Sequence, residues 1–406
     1  MMRQIREQLL PFERMTREPG HSFFGYYDLQ PWSGNGEYHL CGRVPFMDRM
    51  PEACDRMELG MIRQYDDCFI PLASTYAWNF QQGAMLQWNP SAPDDEIIYN
   101  AFISGAYRAV VRNIRTGAER LLPHPVANVA QNGRYALSFH FGRLYDFRPG
   151  YGYCQIPDEN ESIRAPENDG IYRIDVIRGT EERILSLKQV QEIFNGQFHP
   201  PEGRKMLVNH ITFNPSGTRF LALARSMPAP DETWEGWASL LFTADPDGGN
   251  VHVFDGRGNA SHYAWRDDDH LVIFADNGYR TRPGMKLCLL TDKTQDVEFI
   301  DTDYFTFDGH CSYCPADKNW LLYDSYPDAE GYRLLLLYDL KEGKGYTLAR
   351  LLSQKKSMQI SDEIRCDLHP RWNRDGSMIS FDSIHEGSRH IYRMDLSPLT
   401  GIGKKP

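Results

Sequence analysis

One pattern recurs seven times along the chain: an aromatic or apolar residue, a short polar turn that often ends in NG, SG or DG, and then an alternating run. The segments are PWSGNGEYHLCGRV (31–44), QWNPSAPDDEIIYNAF (87–102), NVAQNGRYALSFHF (128–141), TFNPSGTRFLALAR (212–225), YAWRDDDHLVIFAD (263–276), SYCPADKNWLLYDS (312–325) and RWNRDGSMISFDS (371–383). Most are followed by a second strand-like run, a turn and a return strand, at 107–122, 170–185, 239–254, 285–300 and 332–349, with a single run at 390–396. A strand, a tight turn and a return strand are the signature of a hairpin. Two hairpins per unit, repeated roughly every 40–60 residues, make a four-stranded propeller blade. The seven units predict an all-β chain, a seven-bladed β-propeller with four-stranded antiparallel blades, as a single domain over 1–406. The long interval between Val129 and Phe213 predicts an insertion at about 142–205. The last unit lacks an outermost strand, which the N-terminal segment is expected to supply, closing the ring and removing an exposed edge. Two β-sandwich domains are the rival, but they require a Pro/Gly/Ser-rich break near the middle, and none occurs. The best helix candidate is LSLKQVQEIFNG (185–196), with Gly196 as its stop.

The 406 residues exceed one ordinary core and suit a closed ring of repeats. The net charge of −11, without a basic run, argues against nucleic acid as a partner. No stretch approaches the length of an apolar membrane span. The N-terminus MMRQIREQLLPFERM is charged throughout and lacks a signal-peptide core, so the sequence as it stands is expected to be cytoplasmic. Eight scattered cysteines make no disulfide framework. No GxSxG elbow, Walker loop, HExxH or strand-linked Rossmann fingerprint occurs, which removes the common serine hydrolases, NTPases and zincins.

Four histidines occupy nearly one register of the repeat. His210, His262, His310 and His369 stand three or four residues before Phe213, Trp265, Cys314 and Trp372. Positions just before the innermost strand of a blade lie at the mouth of the central channel, so four imidazoles are expected to meet there. Imidazole ligates zinc, manganese and iron, and a thiolate from Cys366 or Cys311 would tilt the choice to zinc. The plainer alternative is that each caps a turn or bonds a neighbouring blade. A second group, SFHFGRLYDFRPGYGY (138–153), gathers His140, Arg143, Arg148, Tyr151 and Tyr153 in a loop that is either functional or simply packed. A third, TYAWNFQQGAMLQW (75–88), carries Asn79, Gln81 and Gln82, with Asn100 following; such amides bind sugar hydroxyls or carboxylates, or cap turns.

GHSFFGYYDLQPW (20–32), WNFQQGAMLQW (78–88), RPGYGY (148–153) and RCDLHPRWNRDG (365–376) resemble the propeller-type polysaccharide lyases, the ulvan lyases and oligogalacturonate lyases in particular. The resemblance implies cleavage of a uronic-acid-containing oligosaccharide or polysaccharide by β-elimination. One group must neutralise the carboxylate, a base must take the C5 proton, and an acid must protonate the leaving oxygen. Likeness to the ulvan lyases implies Tyr151 or Tyr153 as acid, and Arg164 as the accompanying arginine. Where those enzymes carry histidines, this chain has Asn79 and Asn100, which donate to a carboxylate but cannot act as a base; His140 stands close enough to substitute. Likeness to the oligogalacturonate lyases implies His210 as base. It also implies one divalent metal, zinc or manganese, at His262 and His369, with His310, Asp367 or Cys366 completing the set. Arg143, Arg164, Asn79, Gln82 and Asn100 are the expected contacts to the sugar acid. A tyrosine acting as base needs a nearby cation, for which Arg143, Arg148 and Arg164 are candidates. The rivals are a binding propeller whose catalytic set has decayed, and a glycoside hydrolase on the same ring.

Overall fold

Each repeat folds as one antiparallel sheet in the computed structural model, which describes residues 6–7, 9–17, 19–197, 205–227, 238–256, 258–276, 284–353 and 362–403. The first blade runs outward through His21–Phe23, Tyr38–Val44, Met57–Arg63 and Cys68–Thr75, and the next five repeat that order. The seventh has three strands of its own, Arg371–Trp372, Met378–Ser383 and His390–Asp395; its fourth is Phe12–Arg14 from the N-terminal segment. The ring is closed as expected from the sequence, with Ser22 N–H donating to Arg389 O across the joint at 2.7 Å. A further short strand, Arg6–Glu7, pairs in parallel with Lys344–Leu352 on the outer edge of blade six. The N-terminal chain thus ties blades six, seven and one together.

The alternation seen in the sequence buries side chains between blades rather than in one central core. One apolar layer joins blades one to four, and others fill the spaces between four and five, five and six, and six and seven. Buried polar side chains also cross these joints, such as His39, which contacts Leu40 O and Ser380 Oγ.

Between Tyr135–Ser138 and Lys205–Phe213 lie a helix α1 (Phe141–Phe147), the loop 148–169, the outer hairpin of blade three (Gly170–Asp175 and Thr180–Ser186) and a helix α2 (Leu187–Gln197). The helix expected at 185–196 is therefore present. Helix α1 was hidden inside an apparent strand, because His140 caps it by accepting the Arg143 N–H at Nδ1 (2.8 Å). That bond is local chemistry that a strand-like alternation conceals. No helix among the described residues is long and apolar enough to cross a membrane. No disulfide forms among the described residues.

Candidate active site

The axis is filled first by Tyr26 and Tyr27, which follow the innermost strand of blade one. Gly25 lets them enter: its φ is +144°, and a Cβ there would stand 2.7 Å from Gln82 O. Tyr26 stacks on His210 (5.0 Å, 9°) and meets His310 and His369 edge-on at 5.7 and 4.9 Å. A bulge between Val208 and His210 in the first strand of blade four locally resets the register just before His210. The four histidines do gather: His262 and His310 lie 4.1 Å apart, and His310 and His369 4.3 Å apart, between ring centroids.

Three of these imidazoles share one tautomer. His262 Nδ1 lies 3.0 Å from Asp308 Oδ1, His310 Nδ1 3.0 Å from the Asp324 carboxylate, and His369 Nδ1 2.9 Å from Gly25 O. Carboxylates and carbonyls only accept, so each Nδ1 carries the proton and each Nε2 keeps a lone pair. Nε2 of His310 and of His369 is buried with no hydrogen-bond partner. Burial, the largest cause, pushes both pKa values down, so the lone pairs remain unprotonated. Asp324 also accepts the backbone N–H of His310 (2.8 Å) and of His369 (3.2 Å), fixing both residues from behind. His369 itself sits at φ +42°, a left-handed conformation that costs a non-glycine residue energy and is held by its surroundings.

The third member is Asp367. Ligand atoms of His310, Asp367 and His369 lie within 4.8 Å of one another, and all three residues are buried. Two histidines and one carboxylate make a set that suits zinc, manganese or iron. Burial alone would raise the Asp367 carboxyl, but Arg333 and Arg365 outweigh it and hold it well below the usual carboxylate range. Their guanidiniums approach at 2.6 and 2.8 Å without hydrogen-bond alignment, so both oxygens retain lone pairs. The residues present therefore fit a divalent metal. Cys366 does not join them. Glu363 and Ile364 lie in a short 3₁₀ turn (Asp362–Ile364), and Arg365 to His369 follow it outside any sheet. Asp367 and His369 converge with His310, whereas Ile364, Cys366 and Leu368 are buried in apolar packing. Burial pushes the Cys366 thiol up to about 12.

A second cluster, His140 with Asp158 and Asp169, has similar spacing but different chemistry. His140 Nδ1 accepts the Arg143 N–H, which places the ring proton on Nε2. A neutral imidazole in that tautomer has no lone pair left for a metal.

A cavity of about 800 Å³ opens among Arg148, Arg225, Arg365, Glu363, Asp308, Ser261 and Tyr326, and Asp308 links it to His262. Three guanidiniums and two carboxylates line it. Arg225 is pulled down to about 10, by burial first and by the Arg148 charge second, and stays cationic at neutral pH. The 363–367 segment is pinned by Gln81, whose Nε2 donates to Glu363 O (3.2 Å) and Arg365 O (2.9 Å). Glu363 in turn accepts from Arg148 Nε (3.2 Å) and Gly150 N (2.9 Å). Tyr151 Oη accepts from Arg365 Nη2 at 3.1 Å, and Arg148 lies 4.5 Å over its ring. The cations beside that tyrosine are thus Arg148 and Arg365.

Other residues singled out from the sequence stand elsewhere. Arg143 is buried and spends its donors on the Asp158 carboxylate and on the carbonyls of Met206, Asn160, Ile163 and Arg164. Arg164, half-buried, lies in that clamped loop. Tyr153 is in the core, stacked on Phe141 at 4.5 Å, with its hydroxyl accepting from Asn100 Nδ2 at 3.0 Å. Asn100 also bonds both backbone groups of Val126. Asn79 Oδ1 caps the turn of Gln81 and Gln82 by accepting their N–H groups. Gln82 is buried, with Oε1 unpartnered. The sequence reading passed over Asp308, Arg225, Arg333 and Tyr326. Asp367 entered only through the likeness to the oligogalacturonate lyases.

No protein-family model matches the chain, and a search of curated proteins finds no match. Among solved structures, an oligogalacturonate lyase in complex with manganese is similar, at 14% identity over 97% of this chain and 98% of that one, with a TM-score of 0.66. An oligogalacturonate lyase from Vibrio parahaemolyticus is similar at 12% identity over 97% and 99%, with a TM-score of 0.61. The tricorn protease matches 95% of this chain with 35% of its own, at 11% identity and a TM-score of 0.51. The likeness to oligogalacturonate lyases read from the sequence thus extends to the fold along nearly the whole chain. The fold is a seven-bladed β-propeller similar to that of the oligogalacturonate lyases.

Proposed function

We propose that the chain is a lyase that cleaves a uronic-acid-containing oligosaccharide by β-elimination in the arginine-lined cavity. The observation that carries this reading is the convergence of Arg148, Arg225 and Arg365 on one cavity whose wall includes Asp308, the partner of His262 Nδ1. The guanidiniums bind the sugar carboxylate and offset the charge that builds on it as the α proton leaves. His262 is the base. Its Nδ1 proton is held by Asp308, which keeps Nε2 free to accept the C5 proton and stabilises the imidazolium that forms. His210, the other candidate, is a poorer base, because burial and then the Arg225 charge push its pKa well down. A zinc or manganese ion held by His310, His369 and Asp367 would supply Lewis-acid polarisation of the same carboxylate. Tyr151 orients Arg365 from behind the cavity wall. His140, Tyr153, Asn79, Asn100 and Arg143 are given structural roles.

The test is incubation with oligogalacturonate, ulvan-type and glucuronate-containing oligosaccharides, with zinc or manganese supplied. An ultraviolet-absorbing unsaturated product from one of them is expected. Silence on all three with metal bound would overturn the proposal, and release of saturated sugars would point to hydrolysis.

A further inference from the structure

We infer that Tyr326 is the proton donor to the departing sugar oxygen, a catalytic role that rests on the lyase reading above. Most of the tyrosines around the axis have committed hydroxyls. Tyr27 donates to Tyr263 O (2.8 Å), and Tyr323 donates to Phe307 O (3.0 Å). Tyr263 is bonded to Thr212 (2.7 Å), Tyr26 to His210 (3.3 Å), and Tyr153 and Tyr151 accept from Asn100 and Arg365. Tyr326 is different: its hydroxyl has no hydrogen-bond partner among the described residues. It also lines the cavity at 38% exposure, whereas Tyr151 is 2% exposed behind the wall.

Its ring faces the reacting groups. The centroid lies 6.1 Å from that of His262 and 6.4 Å from that of His310. The Arg333 and Arg365 guanidinium carbons stand 5.5 and 5.8 Å from the same ring. Burial raises the Tyr326 phenol well above its usual range, with the Arg365 charge opposing, so it carries its proton at neutral pH and can give it up to a developing sugar alkoxide of comparable basicity.

The step balances. His262 Nε2 takes the C5 proton, and the C–H electron pair becomes the C4–C5 double bond. The C4–O4 bond breaks with its pair on O4, while the Tyr326 O–H bond breaks and its proton goes to O4. One imidazolium and one phenolate remain, and transfer of the proton from His262 to Tyr326 restores both.

The experiment compares wild type with Tyr326→Phe on two uronates, one carrying a sugar at O4 and one carrying a nitrophenol. A sugar alkoxide needs a proton to leave, and a nitrophenolate does not. On the sugar-linked substrate kcat is expected to fall by about 10²–10⁴-fold with little change in KM. On the nitrophenyl substrate the loss should be much smaller. Circular dichroism and zinc titration of the variant check that fold and metal set are intact. Equal losses on both substrates, or wild-type kcat on the sugar-linked one, would overturn the assignment. Failure of the wild-type protein on both would instead remove the lyase reading, and this role with it.

Discussion

Cys366 and Asp367 are neighbours in sequence and face opposite ways, so metal binding must distinguish them. Asp367→Asn removes a ligand beside His310 and His369 and should abolish measurable zinc or manganese uptake in a calorimetric titration. Cys366→Ala, on the apolar face, should leave affinity unchanged. Asp324→Asn, which loosens the grip on His310 Nδ1, should weaken affinity by about 10–100-fold. Metal binding unaffected by Asp367→Asn would rule out the proposed set. Single residues were only partly legible from the sequence. The four histidines revealed themselves through the repeat, because register in a propeller translates into position on the axis. The amides did not, since an asparagine that binds a sugar and one that caps its own turn are the same residue. Asn79 and Asn100 are saturated by backbone groups that no sequence pattern announces. The same holds for Tyr153, whose buried hydroxyl only accepts from Asn100. Tyr153→Phe should cost about 0.5–1.5 kcal/mol in urea unfolding, with turnover unchanged.

At the scale of elements, the arm that carries Glu363, Arg365, Asp367 and His369 is pinned by two turns and a strand. Gln81 holds its carbonyls, Glu363 bonds the 148–150 turn, and Arg333 reaches Asp367 from blade six. Hairpins and blades were readable because their turns use Gly, Asn and Asp at fixed offsets and their strands alternate. The arm was harder to read, because it is a short 3₁₀ turn followed by irregular chain outside any sheet, with no period to detect. The loop after α1 had no periodic signal at all. Its organiser is Arg143, paired with Asp158, both side chains almost wholly buried. Arg143→Met leaves that carboxylate alone in the interior and should cost about 3–5 kcal/mol. A loss below about 1 kcal/mol by denaturant unfolding would show that the loop does not depend on the clamp.

For the whole molecule, the ring is held shut by the N-terminal strand and by buried neutral histidines that bridge blades, and the second device makes the fold acid-sensitive. His39 contacts Leu40 O and Ser380 Oγ between blades one and seven, and its pKa is lowered from 6.5 to about 3, by burial first and by Arg371 second. His210, His310 and His369 are lowered in the same direction, with burial the largest cause in each. Below about pH 6.5 the unfolded chain takes up a proton at each of these sites while the folded chain does not. Stability therefore falls as pH falls, by up to about 1.4 kcal/mol per pH unit per group, and for His39 the window closes near its folded value of about 3. Asp28 acts the other way. Burial raises it from 3.8 to about 6, so between those values the folded state holds the extra proton, and acid favours it there. Burial also raises Asp67, Asp146 and Asp169, and it lowers His124 and His385 on the histidine side, so the lowered histidines outnumber the raised carboxyls. With metal removed by a chelator, the urea midpoint should drop clearly between about pH 7 and pH 5. His39→Gln, which keeps an acceptor for the Ser380 hydroxyl and removes a titrating group, should make that drop shallower. A midpoint that holds steady or rises on acidification would mean that the bridging histidines do not set the stability of the closed ring.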